Sequence, residues 1–116
     1  MKVFLDENLP HLLRNNLGEH QAFTVRYMGW AGLKNGELLK TAEADGFEVF
    51  ITGDQTLSDE QNLSGLRVAI VVLSSIDWHI LRNHLPTILA ALDRAAPYSI
   101  QRVECGVFTR KKPLGE

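Results

Sequence analysis

Two short apolar segments that each end at an acidic residue place the strongest constraint on the fold. Lys2–Leu5 (Lys-Val-Phe-Leu) is followed by Asp6, and Val49–Thr52 (Val-Phe-Ile-Thr) is followed by Gly53 and Asp54. Short apolar runs of this kind are typical of strands buried in a parallel sheet. Ligands of open α/β sheets bind at the carboxyl ends of the strands. If these strands are neighbours, Asp6 and Asp54 converge at one edge, where like charges need a cation, a shared proton or solvent between them.

The length and composition favour one compact α/β domain. The chain has 116 residues, of which 45% are hydrophobic, and this is enough for a core of its own. We expect a single domain over residues 1–105 and a flexible C-terminal tail over residues 106–116, which carries the basic run Arg110-Lys111-Lys112.

Net charge and cysteine content further narrow the class of protein to which the chain can belong. The formal net charge is -2, so the chain lacks the basic character of a stable nucleic-acid-binding protein, although an enzyme that holds phosphates through metal ions stays open. Cys105 is the only cysteine, which excludes an intramolecular disulfide and fits a reducing compartment. No signal-peptide pattern and no apolar stretch of ~18–20 residues is visible, so we expect a cytoplasmic protein with no membrane partner.

The hydrophobic pattern predicts five strands and three helices. Strands are predicted at 2–5, 21–26, 48–52, 68–73 and 98–104, and helices at 9–17, 35–44 and 77–92, with a polar loop at 55–65. Asn8 is a candidate N-cap of the first helix, Asp77 a candidate N-cap of the third, and Pro86 is expected to kink or divide that third helix. The alternation of strands and helices predicts a three-layer α/β/α sandwich with a mostly parallel central sheet.

Several acids are candidates for a metal site at the strand ends. Asp6 and Asp54 follow strands, where they have no structural task beyond turns. Glu37 lies near the start of the second helix, where it either reaches the site or favours the helix dipole. Asp59 is either a solvated loop acid or a further ligand. Mg²⁺ needs only two or three carboxylates when a substrate phosphate supplies more oxygen, and such an ion activates water and neutralises a phosphodiester.

Four further residues have more than one interpretation each. Asn8 is either a helix cap or a site amide. Thr52 either orients Asp54 or binds phosphate, or it only forms capping or turn hydrogen bonds. Arg26 either contacts phosphate or pairs with an acid, and Tyr27 either stacks on a base or packs its loop on the core. The four histidines lack zinc-ligand spacing. The chain contains no GxGxxG, Walker, GxSxG or CxxC motif, which argues against dinucleotide, NTPase, serine-hydrolase and thioredoxin chemistry.

Three segments together resemble the PIN-like domain family. They are Val-Phe-Leu-Asp-Glu-Asn-Leu-Pro at 3–10, Asn-Gly-Glu-Leu-Leu at 35–39 and Phe-Ile-Thr-Gly-Asp at 50–54, and the resemblance covers residues 1–73. It implies a PIN-like fold and a Mg²⁺- or Mn²⁺-dependent ribonuclease with Asp6, Glu37 and Asp54 as catalytic metal ligands. Asn8, Thr52, Asp59 and Arg26 are then candidates for supporting those ligands or binding substrate.

The resemblance also implies partners. Many small members of the family are toxin-like components of toxin–antitoxin pairs, so we expect an RNA substrate and a cognate antitoxin protein. The family commonly has a further acid followed by an aromatic residue after its Thr-x-Asp, whereas this chain continues with Gln55-Thr56-Leu57. Asp59 is the nearest acid that could substitute for the missing ligand.

Two other classes of protein stay open. A response-regulator receiver also has paired acids after strand 1, an aspartate after strand 3 and a Ser or Thr after strand 4, which would make Asp54 a phosphoacceptor with Ser74 or Ser75 beside it. The lysine that ends the fifth strand of receivers is missing here. The other alternative is a catalytically silent PIN-like interaction module. A homodimer is possible in any of these cases, and nothing in the sequence determines it.

Overall fold

The computed structural model describes residues 1–57 and 66–105 of the chain. The described strands are β1 (Lys2–Leu5), β2 (Gln21–Thr24), β3 (Val49–Thr52), β4 (Ala69–Leu73) and β5 (Ile100–Val103). The described helices are α1 (His11–Arg14), α2 (Asn35–Ala44), α3 (Trp78–Leu81) and α4 (Leu85–Asp93), with a 3-10 turn at Arg82–His84. The predictions for Asp59, for most of the 55–65 loop and for the tail at 106–116 lie outside the described residues.

The five strands form one sheet in the order β2-β1-β3-β4-β5, and every pair of neighbours is parallel. The prediction of an α/β fold with a mostly parallel sheet is therefore confirmed. β1 and β3 are neighbours, with Phe4 opposite Phe50, as the convergence of their acids requires. From β1 the chain passes to β2 on one side and then crosses to β3 on the other. The carboxyl ends of β1 and β3 therefore form the switch point of the sheet, where ligands of such sheets bind.

Side-chain alternation divides the core into two clusters. Val3, Leu5 and Ile51 belong to a buried cluster that includes residues of α1, α3 and α4. Phe4 and Phe50, whose rings stack at 4.4 Å, belong to another cluster that includes residues of α2. Because neighbouring strand residues face opposite sides, both faces of the sheet are covered, and this explains why β1, β3 and β4 read as continuous apolar runs.

The first helix is much shorter than predicted. α1 spans only His11–Arg14. Pro10 occupies its N-cap position with an extended backbone, and no side chain forms a capping hydrogen bond there. The prediction that Asn8 caps this helix is therefore wrong. The side-chain amide of Asn16 donates to the backbone oxygen of Leu12 at 2.8 Å. It therefore competes with the backbone hydrogen bonds that would extend the helix.

The third predicted helix is divided, as Pro86 indicated. The 3-10 turn separates α3 from α4, and Pro86 occupies the first turn of α4, where its missing N–H costs nothing. Asp77 caps α3 as predicted, because its carboxylate accepts a hydrogen bond from the backbone N–H of His79 at 2.9 Å. In the described part of the chain, no helix is both long enough and apolar enough to cross a bilayer.

Candidate active site

Asp6 is the first residue after β1, and two hydrogen bonds fix it against β3. Its backbone N–H donates to the Ile51 oxygen at 2.9 Å and so extends the β1–β3 pairing beyond the strand. Its Oδ2 accepts the Thr52 hydroxyl at 2.6 Å, and its Oδ1 accepts the backbone N–H of Glu7 at 2.9 Å. The carboxylate is therefore held at the boundary between β1 and β3, although it is still partly exposed to solvent.

Thr52 joins the two strand ends chemically. Its side chain is 0% exposed, which makes it the buried polar residue of the described chain. Its hydroxyl donates to Asp6 and accepts the backbone N–H of Asp54 at 3.0 Å. A hydroxyl can donate one bond and accept others, so this one group orients the first acid and fixes the backbone of the second.

Asp54 lies two residues beyond β3 in a tight turn. Its Oδ1 accepts both the backbone N–H of Thr56 at 3.0 Å and the Thr56 hydroxyl at 2.7 Å, and its backbone oxygen accepts the N–H of Leu57. No hydrogen bond reaches its Oδ2 from any residue of the described ranges. The turn therefore orients the carboxylate through one oxygen and leaves the other available for a ligand.

Gly53 has no room for a side chain. A Cβ at this position would lie 2.3 Å from Cγ2 of Ile76, in the connection between β4 and α3. Real Cβ atoms do not approach carbon that closely, so the glycine allows the turn carrying Asp54 to pack directly on this connection.

The same turn is anchored to the far side of the sheet through Gln55. The Gln55 side-chain amide donates to the Leu73 oxygen at the end of β4 at 2.6 Å, and its Oε1 accepts Nη1 of Arg102 in β5 at 3.2 Å. A second nitrogen of Arg102 donates to the backbone oxygen of Gln55 at 3.0 Å. Sequence reasoning missed both residues, because nothing local marks a contact between positions 47 apart.

The structure joins three of the predicted site residues by hydrogen bonds, and the others do not belong to that group. Asp6, Thr52 and Asp54 form one connected group. Glu37 is exposed in the first turn of α2, and Asn8 is exposed in the turn after β1. Within residues 1–57 and 66–105, no group of three or more His, Cys, Asp or Glu side chains is placed to hold a metal ion. The role of Glu37 as a third ligand therefore stays a prediction.

The donor set of Asp6 and Asp54 nevertheless fits a hard cation. Mg²⁺ keeps several of its waters and is often bound by one or two carboxylates together with substrate phosphates. Both carboxylates are half-buried, and in the described residues neither is paired with a basic side chain. Two oriented acids without a protein counter-charge suit an ion that the substrate helps to bind.

Comparison with family models, with curated proteins and with solved structures found no significant match to this chain.

At the same edge of the sheet, the end of β4 is hydrogen-bonded to the end of β5. The Ser74 hydroxyl accepts the backbone N–H of Cys105 at 2.7 Å, and the Ser74 N–H donates to the Val103 oxygen. Burial raises the pKa of the Cys105 thiol, against an opposing effect of its hydrogen bonds with Ser74. Cys105 is fully buried, and its position marks it as a packing residue.

Proposed function

We propose that this protein is a metal-dependent ribonuclease of PIN-like, three-layer architecture, acting as the toxin half of a toxin–antitoxin pair. The observation that carries the proposal is the joining of Asp6 and Asp54 through the buried Thr52 hydroxyl at the switch point between β1 and β3. Polar side chains are rarely buried at a strand end without a task, and acids at a switch point lie where ligands of this sheet class bind.

In this proposal Asp6 and Asp54 hold one divalent cation, Mg²⁺ or Mn²⁺. When bound, such an ion neutralises charge on a phosphodiester and provides an activated water. Thr52 keeps Asp6 facing the crevice, and the Asp54 turn presents the carboxylate oxygen that Thr56 does not engage. These side chains are oriented before substrate arrives, so little reorganisation is required during the reaction.

The remaining roles rest on the family resemblance. Glu37 is proposed as a third ligand that reaches the ion from the first turn of α2, and Asn8 and Asp59 as supporting groups. An antitoxin would inhibit most simply by covering the crevice or by placing a cation in it. A cytoplasmic location agrees with an RNA substrate.

The test of the proposal is cleavage of a labelled single-stranded RNA in Mg²⁺ or Mn²⁺. We expect the wild-type chain to cleave it, and Asp6→Asn or Asp54→Asn to lower the rate by about 100-fold or more. Asp93→Asn is the matched control, since Asp93 is an exposed acid at the end of α4 and outside the site. Cleavage that all four proteins share equally would come from a contaminant and would refute the proposal.

One observation favours a second candidate, the phospho-receiver domain. The strand order β2-β1-β3-β4-β5 is the flavodoxin-like order that receivers also have, and in it Asp54 follows β3. Against this candidate, β5 is followed by Glu104 and Cys105 instead of a lysine. Incubation with acetyl phosphate and Mg²⁺ decides between them. A receiver gains the mass of one phosphoryl group that Asp54→Asn does not gain, whereas the nuclease gains none.

A further inference from the structure

A groove of about 830 Å³ runs along the β2 side of Asp6. Its lining includes Asp6 and Glu7 after β1, Arg14 of α1, and Arg26 and Tyr27 after β2. Asp6 thus lines this groove and is also linked to Asp54 through the hydroxyl of Thr52. A molecule lying in the groove would therefore lie beside the proposed metal ligand Asp6.

Neither of the two arginines of the groove forms an ion pair with an acid of the described ranges. Nε of Arg14 donates to the Ala22 oxygen of β2 at 3.0 Å, which fixes this guanidinium beside the strand and leaves its terminal nitrogens without a described partner. Arg26 is exposed and makes no side-chain hydrogen bond or ion pair within residues 1–57 and 66–105. Two unpaired guanidinium groups along one groove suit successive phosphates of a backbone.

Tyr27 supplies an aromatic surface in the same groove. Its side chain is 72% exposed, although an aromatic side chain of this size is normally buried. Its ring lies 6.0 Å from that of Phe23, so one side is supported by the core cluster behind it. An exposed ring that is backed by another ring and shares its groove with two arginines suits the stacking of an unpaired base.

We propose that this groove binds a single-stranded RNA segment, with Arg14 and Arg26 on its phosphates and Tyr27 stacked on one of its bases. The proposal rests on the proposed ribonuclease function, since a cation held by Asp6, which lines the groove, would meet the scissile phosphodiester. A duplex does not fit this chemistry, because its bases are already stacked on one another and do not present a free face to Tyr27. The overall charge of -2 implies weak binding that depends on these few contacts.

The test is fluorescence anisotropy of a short labelled oligouridylate, measured in EDTA so that binding is separated from cleavage. We expect Tyr27→Ala to weaken binding by about fivefold or more, and Tyr27→Phe to retain most of it because the stacking ring remains. We expect Arg26→Gln to weaken binding and to reduce the slope of log affinity against log salt by about 0.7, the value for one phosphate contact on a single strand.

Matched controls lie elsewhere on the surface. Tyr98 is also strongly exposed, at 62%, and Arg82 is an exposed arginine, and neither lines the groove. Tyr98→Ala and Arg82→Gln are expected to bind the oligouridylate as the wild-type chain does. Equal losses in the groove variants and the control variants would overturn the proposal, as would equal affinity for the oligouridylate annealed to oligoadenylate.

Cleavage measured on the same proteins separates this proposal from the one on which it rests. Groove-dependent binding without metal-dependent cleavage by the wild-type chain would retain the groove and refute the nuclease. Cleavage that requires Asp6 and Asp54 but is unchanged in Arg26→Gln and Tyr27→Ala would retain the nuclease and overturn the groove.

Discussion

At the scale of single residues, the site depends on one hydroxyl group. Thr52 donates to the Asp6 carboxylate and accepts the Asp54 N–H, so two strand ends share one buried oxygen. The sequence places Asp6 and Asp54 after strands, but Thr52 in a run of apolar residues could equally have been a turn-forming threonine. The structure shows that Thr52 does both: its hydroxyl accepts the N–H of Asp54 two residues on, as a turn threonine does, and also donates to Asp6 on the neighbouring strand. Because Thr52 is fully buried, no solvent can replace these partners.

We therefore expect Thr52→Val, which keeps the shape and removes the hydroxyl, to lower the free energy of unfolding. The loss should be about 1.5–3 kcal/mol, the usual range for a hydrogen bond to a charged group. Urea unfolding at neutral pH measures it. Thr52→Ser retains the hydroxyl and is the matched control. A valine variant as stable as the wild-type chain would show that the Thr52–Asp6 bond contributes nothing.

At the scale of elements, the strands follow from the sequence and the irregular contacts do not. The apolar runs of β1, β3 and β4 are unambiguous because both faces of a parallel sheet are buried. The predicted bounds of β1 agree with the observed ones, and those of the other strands differ by at most two residues. The predicted length of α1 is wrong, because the prediction follows the periodic leucines and gives too little weight to Asn15 and Asn16, whose side chains disfavour helix.

The contact between Gln55 and Arg102 shows where the sequence stops being informative about the site. It links the turn after β3 to β5 across 47 positions, and only the completed sheet order places them side by side. The same holds for Gly53, because Ile76 contacts it from the connection after β4. The acids of the site could be found from strand ends, whereas the groups that fix their turn could not.

The packing of Gly53 on Ile76 gives a prediction for the two connections. Gly53→Ala places a methyl group 2.3 Å from Cγ2 of Ile76, and we expect this overpacking to cost about 1–3 kcal/mol of stability. Ile76 is 49% exposed, so Ile76→Ala removes the obstructing methyl with a small cost of its own. Urea unfolding of both single variants and the double variant measures the coupling between them.

The double variant is expected to recover most of the stability that Gly53→Ala loses. If Gly53→Ala lowers the free energy of unfolding equally with alanine and with isoleucine at position 76, contact with Ile76 is not the reason that position 53 requires glycine.

At the scale of the whole molecule, burial of Cys105 links stability to alkaline pH. Burial raises the native pKa of its thiol, whereas the unfolded chain has the ordinary value of about 8.5. Below that value the thiol is neutral in both states and its contribution is constant. As the pH rises toward the native pKa, the unfolded chain loses its proton first, so the free energy of unfolding falls.

The comparison of the wild-type chain with Cys105→Ala isolates this effect. Between pH about 7 and pH about 10, the wild-type chain should lose more stability than the alanine variant, in which no thiol titrates. Parallel stability curves for the two proteins would show that the native thiol titrates as it does in the unfolded chain.

The most direct test of the central claim is calorimetric titration of Mn²⁺ into the wild-type chain, Asp6→Asn, Asp54→Asn, Glu37→Gln and the control Asp93→Asn. If Asp6 and Asp54 hold one ion, the wild-type chain and the control bind it with equal affinity. Asp6→Asn and Asp54→Asn then each bind it at least about tenfold more weakly, a loss of about 1.4 kcal/mol. Glu37→Gln shows in the same experiment whether a third carboxylate reaches the ion. Mn²⁺ affinity that is unchanged in both Asp6→Asn and Asp54→Asn would contradict the shared metal site.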